Sequence, residues 1–194
     1  MQELIDRALQ RLKAAGRSTH MLDIAAGHGR YVLDAIETAA VRPDSARLQD
    51  YSPINVDAGR NSIAARGLGD FVNFRQQDAF DGEGLAATTP APDLAIVSGL
   101  YELFSDNAMI AASLNGIARA MRPGGLLVYT NQPWHPQLEM IARALTSHRG
   151  GEAWVMRRRT QEEMDQLVAA AGFRKIEQRI DQWGIFTVSL AERV

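Results

Sequence analysis

The chain has 194 residues, 46% of them apolar, and its 21 basic and 23 acidic side chains nearly balance. This composition suits one domain with a sizeable core, and the balanced charge argues against nucleic acid or an anionic membrane as the main partner. The lack of cysteine excludes disulfides and thiolate chemistry. No apolar run approaches the ~20 residues of a membrane span and no signal-peptide segment is apparent, so we expect a cytoplasmic location by default.

The first predicted elements surround a glycine-rich turn. Residues 3–13 place apolar side chains at helical spacing, and residues 21–25 predict a short buried strand. Gly27 and Gly29 follow that strand and lead into a helix over residues 30–40. Glycine lets a ligand approach the backbone and the helix start offers unpaired N–H groups, so the turn predicts a nucleotide-like ligand. Small residues that only let the helix pack on the strand are the alternative.

Strands and helices alternate through the rest of the chain. Further strands are predicted near residues 46–51, 71–74, 94–97 and 126–129, with a closing pair at 175–180 and 185–190. A turn at Gly184 makes the closing pair a hairpin. This order predicts an α/β, Rossmann-like fold: a seven-stranded, mostly parallel sheet with an antiparallel last strand and helices on both faces.

No repeat, low-complexity segment or linker divides the sequence. We therefore predict a single domain over residues 1–194, with an N-terminal helix within residues 1–17 and an elaboration of the fold over residues 132–160. No cluster of histidine and carboxylate side chains at ligand spacing predicts a metal site.

Acidic residues stand at the predicted carboxyl ends of successive strands, where parallel sheets bind their ligands. Asp23, Asp50 and Asp78 end the first three strands. Asp50 could accept two hydrogen bonds from a ribose diol, and Asp78 could accept one from the exocyclic amine of a purine. A helix cap or turn explains each aspartate singly, but three at neighbouring strand ends are hard to explain in that way.

Motifs along the whole chain resemble those of class I S-adenosylmethionine-dependent methyltransferases. They are the glycine-rich motif at residues 22–29, the acidic strand end at 50–53, the adenine-contacting motif at 77–80, the fourth strand at 93–98 and the Pro-Gly-Gly turn at 122–127. The family often has glycine where this chain has Ala25, a departure that we expect to tighten the loop slightly.

The resemblance implies S-adenosyl-L-methionine as cofactor and S-adenosyl-L-homocysteine as product. It implies cofactor-binding roles for Asp23, Ala25, Gly27, Gly29, Asp50, Tyr51, Asp78, Ala79, Ser98 and Leu100. Within that set, Asp50 would hold the ribose, Asp78 and Ala79 the adenine, and Tyr51 the adenine face. Asp23 and Gly27 would face the methionine part, whose end Ser98 and Leu100 would line.

The expected activity is methyl transfer to a small-molecule or lipid acceptor, with residues 132–160 near the acceptor side. Two alternatives are a non-catalytic S-adenosylmethionine-binding regulatory module and a dinucleotide-dependent oxidoreductase. Val32 at the third glycine position of the dinucleotide fingerprint and the closing hairpin argue against the oxidoreductase.

An alcohol, acid or carbon acceptor would need a general base. The catalytic candidates are His135, Tyr101 and Glu102, with Gln132 also near a strand end, whereas His28 is expected to face solvent. A flanking tryptophan and two prolines stiffen the connector that carries His135, which suits a positioned base.

Two further features bear on partners. Arg149 and the run Arg157–Arg159 form a local basic cluster that could meet a phosphate-bearing or carboxylate acceptor, although a solvated surface is the simpler interpretation. Residues 99–104 and 132–136 resemble a bacterial methyltransferase subgroup often fused behind an α/β-hydrolase domain. That resemblance implies a fused or associated α/β-hydrolase domain as a partner.

Overall fold

The computed structural model describes residues 1–147 and 151–194, in which seven strands form one sheet. The strands are β1 (His20–Ile24), β2 (Ser45–Asp50), β3 (Val72–Gln76), β4 (Leu94–Val97), β5 (Leu126–Asn131), β6 (Phe173–Ile180) and β7 (Thr187–Arg193). Their order is β3-β2-β1-β4-β5-β7-β6; β1 to β5 pair in parallel, and β7 runs antiparallel between β5 and β6. The predicted fold class is confirmed.

Helices cover both faces of this sheet. They are α1 (Gln2–Ala14), α2 (Arg30–Thr38), α3 (Pro53–Ala65), α4 (Gly82–Ala86), α5 (Asn107–Ala120), α6 (Leu138–Ala144) and α7 (Gln161–Ala170), with a 3-10 helix at Tyr101–Leu103. The apolar stripes of α1, α2 and α3 pack in one core, and those of α4, α5 and α7 pack in a second. Each core lies on its own face of the sheet because successive strand side chains point to opposite faces.

The sheet changes winding direction at β1, which pairs with β2 on one side and β4 on the other. In open α/β sheets the crevice for ligands lies beyond the carboxyl ends of the strands at such a point. Residues 25–29 after β1 and residues 98–106 after β4, here called the glycine turn and the β4 loop, lie on either side of it.

The region 132–160 differs from the rest of the chain. It contains α6, none of whose residues is buried, and an isolated bridge between Thr146 and Ala153. Trp134 and Met140 expose about half of their surface there. Arg149, which belongs to the predicted basic cluster, lies outside the described residues. Throughout residues 1–147 and 151–194, no helix has both the length and the apolar character that crossing a bilayer requires.

Candidate functional site

The glycine turn is built from left-handed backbone. Ala25, Gly27 and Gly29 have φ values of 55°, 60° and 72°. A Cβ on Gly27 would meet no described atom within 4 Å, so this glycine presents bare backbone to open space. A Cβ on Gly29 would stand 2.4 Å from Leu48 Cδ2. The two glycines therefore differ: Gly29 lets α2 pack closely on β2, and Gly27 leaves room for a ligand.

Ala25 is the one residue other than glycine with a positive φ in the described parts of the chain. An L-residue in this conformation brings its Cβ close to the following carbonyl, at a cost of roughly 1–2 kcal/mol. The departure from glycine noted in the sequence is therefore a point of backbone strain at the start of the turn.

The carboxylate of Asp50 joins the end of β2 to the glycine turn. Its Oδ2 accepts a hydrogen bond from the Gly27 N–H at 2.9 Å. Its Oδ1 accepts from the Ser52 N–H at 2.9 Å and from Asn55 Nδ2 at 3.0 Å. An ionised carboxylate has about four acceptor positions, so one position on Oδ2 is left for a ligand.

Asp23, on β1, is buried with 1% of its surface exposed. Its Oδ1 accepts a hydrogen bond from the Tyr31 hydroxyl at 2.5 Å, and its Oδ2 has no partner among the described residues. Burial raises the pKa of Asp23 to about 8, with the Asp50 charge adding to the rise and the Tyr31 bond opposing it. Sequence reasoning missed Tyr31, whose only signal was its place in the first turn of α2.

The ends of β2 and β3 offer an open surface beside this buried pair. Asp78 Oδ1 accepts a hydrogen bond from the Phe80 N–H at 2.9 Å, and the carboxylate stays exposed. The next residue, Ala79, is buried, whereas the side chain of Tyr51, directly after β2, is 73% exposed. Gln76 Nε2 at the end of β3 donates to the Tyr51 carbonyl at 2.9 Å, so the segments that follow β2 and β3 are joined here.

The β4 loop begins at Ser98, which is half-buried, and at Gly99, whose φ is 68°. The Gly99 N–H donates to Thr130 Oγ1 at 2.9 Å and ties the loop to β5. A Cβ on Gly99 would meet only Glu102 Oε1, at 3.9 Å, among the described atoms. Leu100 is buried behind this open point.

The three predicted catalytic residues lie in different environments. The Tyr101 hydroxyl is buried against Ser113 Oγ at 3.0 Å, and burial raises its pKa. His135 Nδ1 accepts the Gln137 N–H at 3.1 Å, so a neutral ring carries its proton on Nε2 and has no free basic nitrogen in this conformation. Only Glu102 lies beside the open point at Gly99. His28 is exposed, as predicted.

The run Arg157–Arg159, here called the arginine strap, packs on the β4 loop. Arg159 has 1% of its surface exposed and donates to the carbonyls of Tyr101 at 2.6 Å and Phe104 at 2.7 Å. Arg157 donates to the Ser105 carbonyl and to Glu163. Arg158 alone of the three is exposed. Two of these guanidinium groups therefore bind the protein itself rather than form a solvated surface or a site for an anionic acceptor.

A cavity of about 430 Å³ lies beside the β4 loop. Leu103, Phe104 and Met109 line one side, and Ala153 and Val155 line the other. The Phe104 ring also meets Phe80 edge-on, with centroids 4.4 Å apart, so one residue of the cavity wall contacts the segment that follows β3. No group of three metal-binding side chains occurs in the part of the chain that the structure describes.

This sheet order, with a glycine turn at the switch point and a buried acid on β1, is the Rossmann-like fold of S-adenosylmethionine-dependent methyltransferases. A family model described as "Putative methyltransferase" matches residues 1–193, and the chain belongs to that family.

One curated protein is similar to this chain along its whole length. The uncharacterized protein YnbC of Escherichia coli K12 is 58% identical over 193 residues, covering 100% of this chain and 33% of YnbC. The chain thus spans about a third of that curated relative.

Solved structures of low sequence identity share the fold. An O-methyltransferase family protein of Burkholderia thailandensis matches with a TM-score of 0.73 at 19% identity, covering 99% of this chain and 55% of that one. The magnesium protoporphyrin IX methyltransferase ChlM of Synechocystis PCC 6803, with bound SAH, matches with a TM-score of 0.70 at 15% identity, covering 100% of this chain and 83% of that one.

Proposed function

We propose that the chain binds S-adenosyl-L-methionine across the glycine turn and transfers its methyl group to a small-molecule or lipid acceptor. The observation that carries this proposal is the buried Oδ2 of Asp23, which has no partner among the described residues, together with the bare backbone of Gly27 in the turn that follows β1. A buried oxygen without a partner costs about 1–3 kcal/mol, and a ligand donor would remove that cost. The α-ammonium group of the cofactor supplies such a donor.

The neighbouring residues fit the other parts of the cofactor. Asp50 keeps one acceptor position for a ribose hydroxyl, the exposed ring of Tyr51 offers a stacking face for adenine, and Asp78 offers an acceptor for its amine. Ala79, Ser98 and Leu100 would complete the walls. When bound, the cofactor supplies an electrophilic sulfonium methyl group, and the protein has to position the acceptor in line and exclude water.

We further propose that residues 1–194 act as one cytoplasmic domain in which residues 132–160 face the acceptor. An α/β-hydrolase domain is our candidate for a covalent or associated partner. The greater length of YnbC supports a longer assembly without indicating what its remaining part does.

A cofactor-binding module without catalysis is a second candidate. It is favoured by the structural bonds that occupy Tyr101 and His135. A dinucleotide-dependent oxidoreductase has no comparable support, since the family match is to methyltransferases.

Titration calorimetry with S-adenosylhomocysteine and with NAD tests the binding step. We expect micromolar binding of the first and none of the second. Failure to bind S-adenosylhomocysteine would remove both candidates. Binding without methyl transfer to any of a broad set of alcohols, phenols, amines, carboxylates and lipids would leave the binding module.

A further inference from the structure

Asp23 and Tyr31 stand on the two sides of the glycine turn, one on β1 and the other in the first turn of α2. The Tyr31 hydroxyl donates to Asp23 Oδ1 at 2.5 Å, so a hydrogen bond joins the two ends of the turn. The fold permits this contact because Gly29, at the start of α2, has no Cβ. A Cβ there would stand 2.4 Å from Leu48 Cδ2 and would hold the helix away from the sheet.

The surroundings of Asp23 make the bond from Tyr31 important for its charge. In register beside Asp23 stand Leu48 on β2 and Ile96 on β4, and both are completely buried. These apolar neighbours offer no hydrogen bond, and burial among them favours the neutral acid. Among the described groups, the Tyr31 hydroxyl favours the ionised carboxylate, whereas the negative charge of Asp50 opposes it. Tyr31 is thus the described side chain that stabilises a negative charge on Asp23.

The Tyr31 hydroxyl keeps its proton and can donate throughout the neutral pH range. Its ring packs against the core that α1, α2 and α3 share. Burial, together with the Asp23 charge, raises the pKa of the phenol well above its usual value. A hydrogen bond from a neutral hydroxyl to an ionised carboxylate is roughly twice as strong as one between neutral groups. The bond is therefore strongest when Asp23 is charged.

A negative charge at the base of the turn favours a cationic ligand group. Asp50, whose carboxylate accepts the Gly27 N–H, also acts electrostatically on Asp23, so both acids lie close to the turn. Asp23 Oδ2 is closed off from solvent in the free protein. Opposite charges attract more strongly in the protein interior than in water, so this carboxylate can act on a cation at the turn even without touching it. S-adenosylmethionine carries its cations at the methionine end and none on the adenosine.

We propose that Tyr31 is a positioning residue for cofactor binding: its hydroxyl holds the Asp23 carboxyl group in place and in its ionised form, so that Asp23 attracts the cationic end of S-adenosylmethionine. The inference rests on the proposed function. Tyr31 acts on the cofactor through Asp23 alone. Removal of its hydroxyl should therefore weaken ligands that carry the ammonium group and spare ligands that carry only the adenosine part.

Titration calorimetry with two probes tests this inference. S-adenosylhomocysteine carries the ammonium group, and 5′-methylthioadenosine carries the same adenosine and sulfur without it. Tyr31→Phe removes the hydroxyl and keeps the ring. It should weaken S-adenosylhomocysteine binding about tenfold at pH 6.5 and about threefold at pH 8.5, because loss of one hydrogen bond to the ionised form raises the pKa of Asp23 by about one pH unit. Binding of 5′-methylthioadenosine should stay within about twofold of wild type at both pH values.

Tyr129→Phe is the matched control. The Tyr129 hydroxyl donates to Asp165 Oδ1 at 2.9 Å, and its ring lies in the core that α4, α5 and α7 share. This variant also loses a tyrosine–aspartate hydrogen bond, but on the other face of the sheet, and should bind both probes as wild type does. A double variant tests the route of the effect. In the Asp23→Asn background, which lacks the charge, Tyr31→Phe should change S-adenosylhomocysteine affinity by less than about twofold.

Melting curves establish that each variant is folded. The inference is wrong, while the proposed function stands, if folded Tyr31→Phe binds S-adenosylhomocysteine as wild type does, loses equal affinity for both probes, or shows the same loss at pH 6.5 and 8.5. Should wild type bind 5′-methylthioadenosine too weakly to measure, the comparison between the two pH values decides. Failure of the wild-type protein to bind S-adenosylhomocysteine would instead remove the proposed function.

A second substitution covers the case in which Tyr31→Phe does not fold. Incorporation of 3-fluorotyrosine at position 31 keeps the ring and makes the hydroxyl a stronger donor. S-adenosylhomocysteine affinity at pH 6.5 should then rise at least about twofold, with no change for 5′-methylthioadenosine. Unchanged affinity for S-adenosylhomocysteine in this protein would contradict the inference.

Discussion

The glycine turn and the region 132–160 flank the same edge of the sheet but are held in different ways. The turn is joined to β2 through the Asp50 carboxylate and through the Ala26 N–H, which donates to the Gln49 carbonyl at 2.8 Å. The region 132–160 contains a helix without a buried residue, and its described contacts with the β4 loop include the hydrogen bonds of Arg157 and Arg159. The glycine turn is thus part of the core, whereas the arginine strap holds the region 132–160 to the β4 loop through polar contacts.

The largest effect that we expect comes from cutting that attachment. Arg159→Ala should lower the free energy of unfolding by about 3 kcal/mol, because it leaves one buried carbonyl, one partly buried carbonyl and one amide oxygen without their charged donor. Chemical denaturation measures the change. The exposed neighbour gives the control: Arg158→Ala should stay within about 0.5 kcal/mol of wild type. Equal losses in both variants would contradict the attachment.

The second test addresses the glycine turn. Asp50→Ala should weaken S-adenosylhomocysteine binding by about 1–3 kcal/mol, since it removes the ribose acceptor and frees the Gly27 N–H. Calorimetry measures the affinity, with a melting curve to establish that the variant is folded. Asp57→Ala, on the exposed face of α3, should bind as wild type does. Unchanged affinity in Asp50→Ala would count against the ribose role.

The buried acid of β1 predicts a pH dependence. Because the pKa of Asp23 is raised to about 8 in the free protein, the carboxyl group is neutral below that pH. An ammonium ligand favours the ionised form, so binding below pH 8 has to release a proton, and affinity should fall about tenfold, or 1.4 kcal/mol, for each pH unit below it. Calorimetry with S-adenosylhomocysteine between pH 6 and 8.5 measures this slope.

Asp23→Asn provides the control, since it should bind more weakly at pH 8 and lose the slope. The same pKa shift makes the stability of the protein depend on pH. The Asp23 carboxyl group ionises near pH 3.8 in the unfolded chain and near pH 8 in the folded chain. The free energy of unfolding should therefore decline from about pH 4 to pH 8, and less so in Asp23→Asn. An identical pH dependence in both proteins would exclude Asp23 as its source.

A smaller effect is expected at the strained start of the turn. Ala25→Gly should raise the free energy of unfolding by about 0.5–1 kcal/mol, because relief of the left-handed strain exceeds the entropy lost by glycine. Ala26→Gly, one residue further on and without positive φ, should instead destabilise by a similar amount. Denaturation of the two variants in parallel decides between strain and a general effect of glycine.

The smallest expected effect concerns α6 in the region 132–160. Met140→Gln, on the exposed surface of α6, should change the free energy of unfolding by less than about 0.5 kcal/mol. A loss above 1 kcal/mol would show that α6 packs on the protein more tightly than the contacts described above indicate.

The contrast between the glycine turn and the region 132–160 also explains which features could be predicted from the sequence. The strands and the turn at Gly27 could be predicted because short apolar runs and left-handed glycines are local properties. The start of α3 is a local feature of the same kind, since Pro53 is its first residue and the Ser52 side chain accepts the Asn55 N–H. The order in which β7 inserts between β5 and β6 follows from pairing over long range, although the hairpin itself could be predicted.

The contacts made by side chains over long range could not be predicted. Three consecutive arginines predict a solvated surface or an anion site, yet Arg159 reaches back more than fifty residues to the β4 loop. Alternation in extended backbone, which turns residues 157 and 159 to one side and 158 to the other, was the available signal. Tyr31 was missed because nothing in the sequence relates its hydroxyl to Asp23.

The bond between the Gly27 N–H and the Asp50 carboxylate has a kinetic consequence. This hydrogen bond orders the glycine turn when the chain folds. A ligand therefore meets a turn that already has its binding conformation, and little conformational entropy is lost on binding. Association at this edge should then be a single fast phase whose rate rises linearly with ligand concentration, with no slow isomerisation following it.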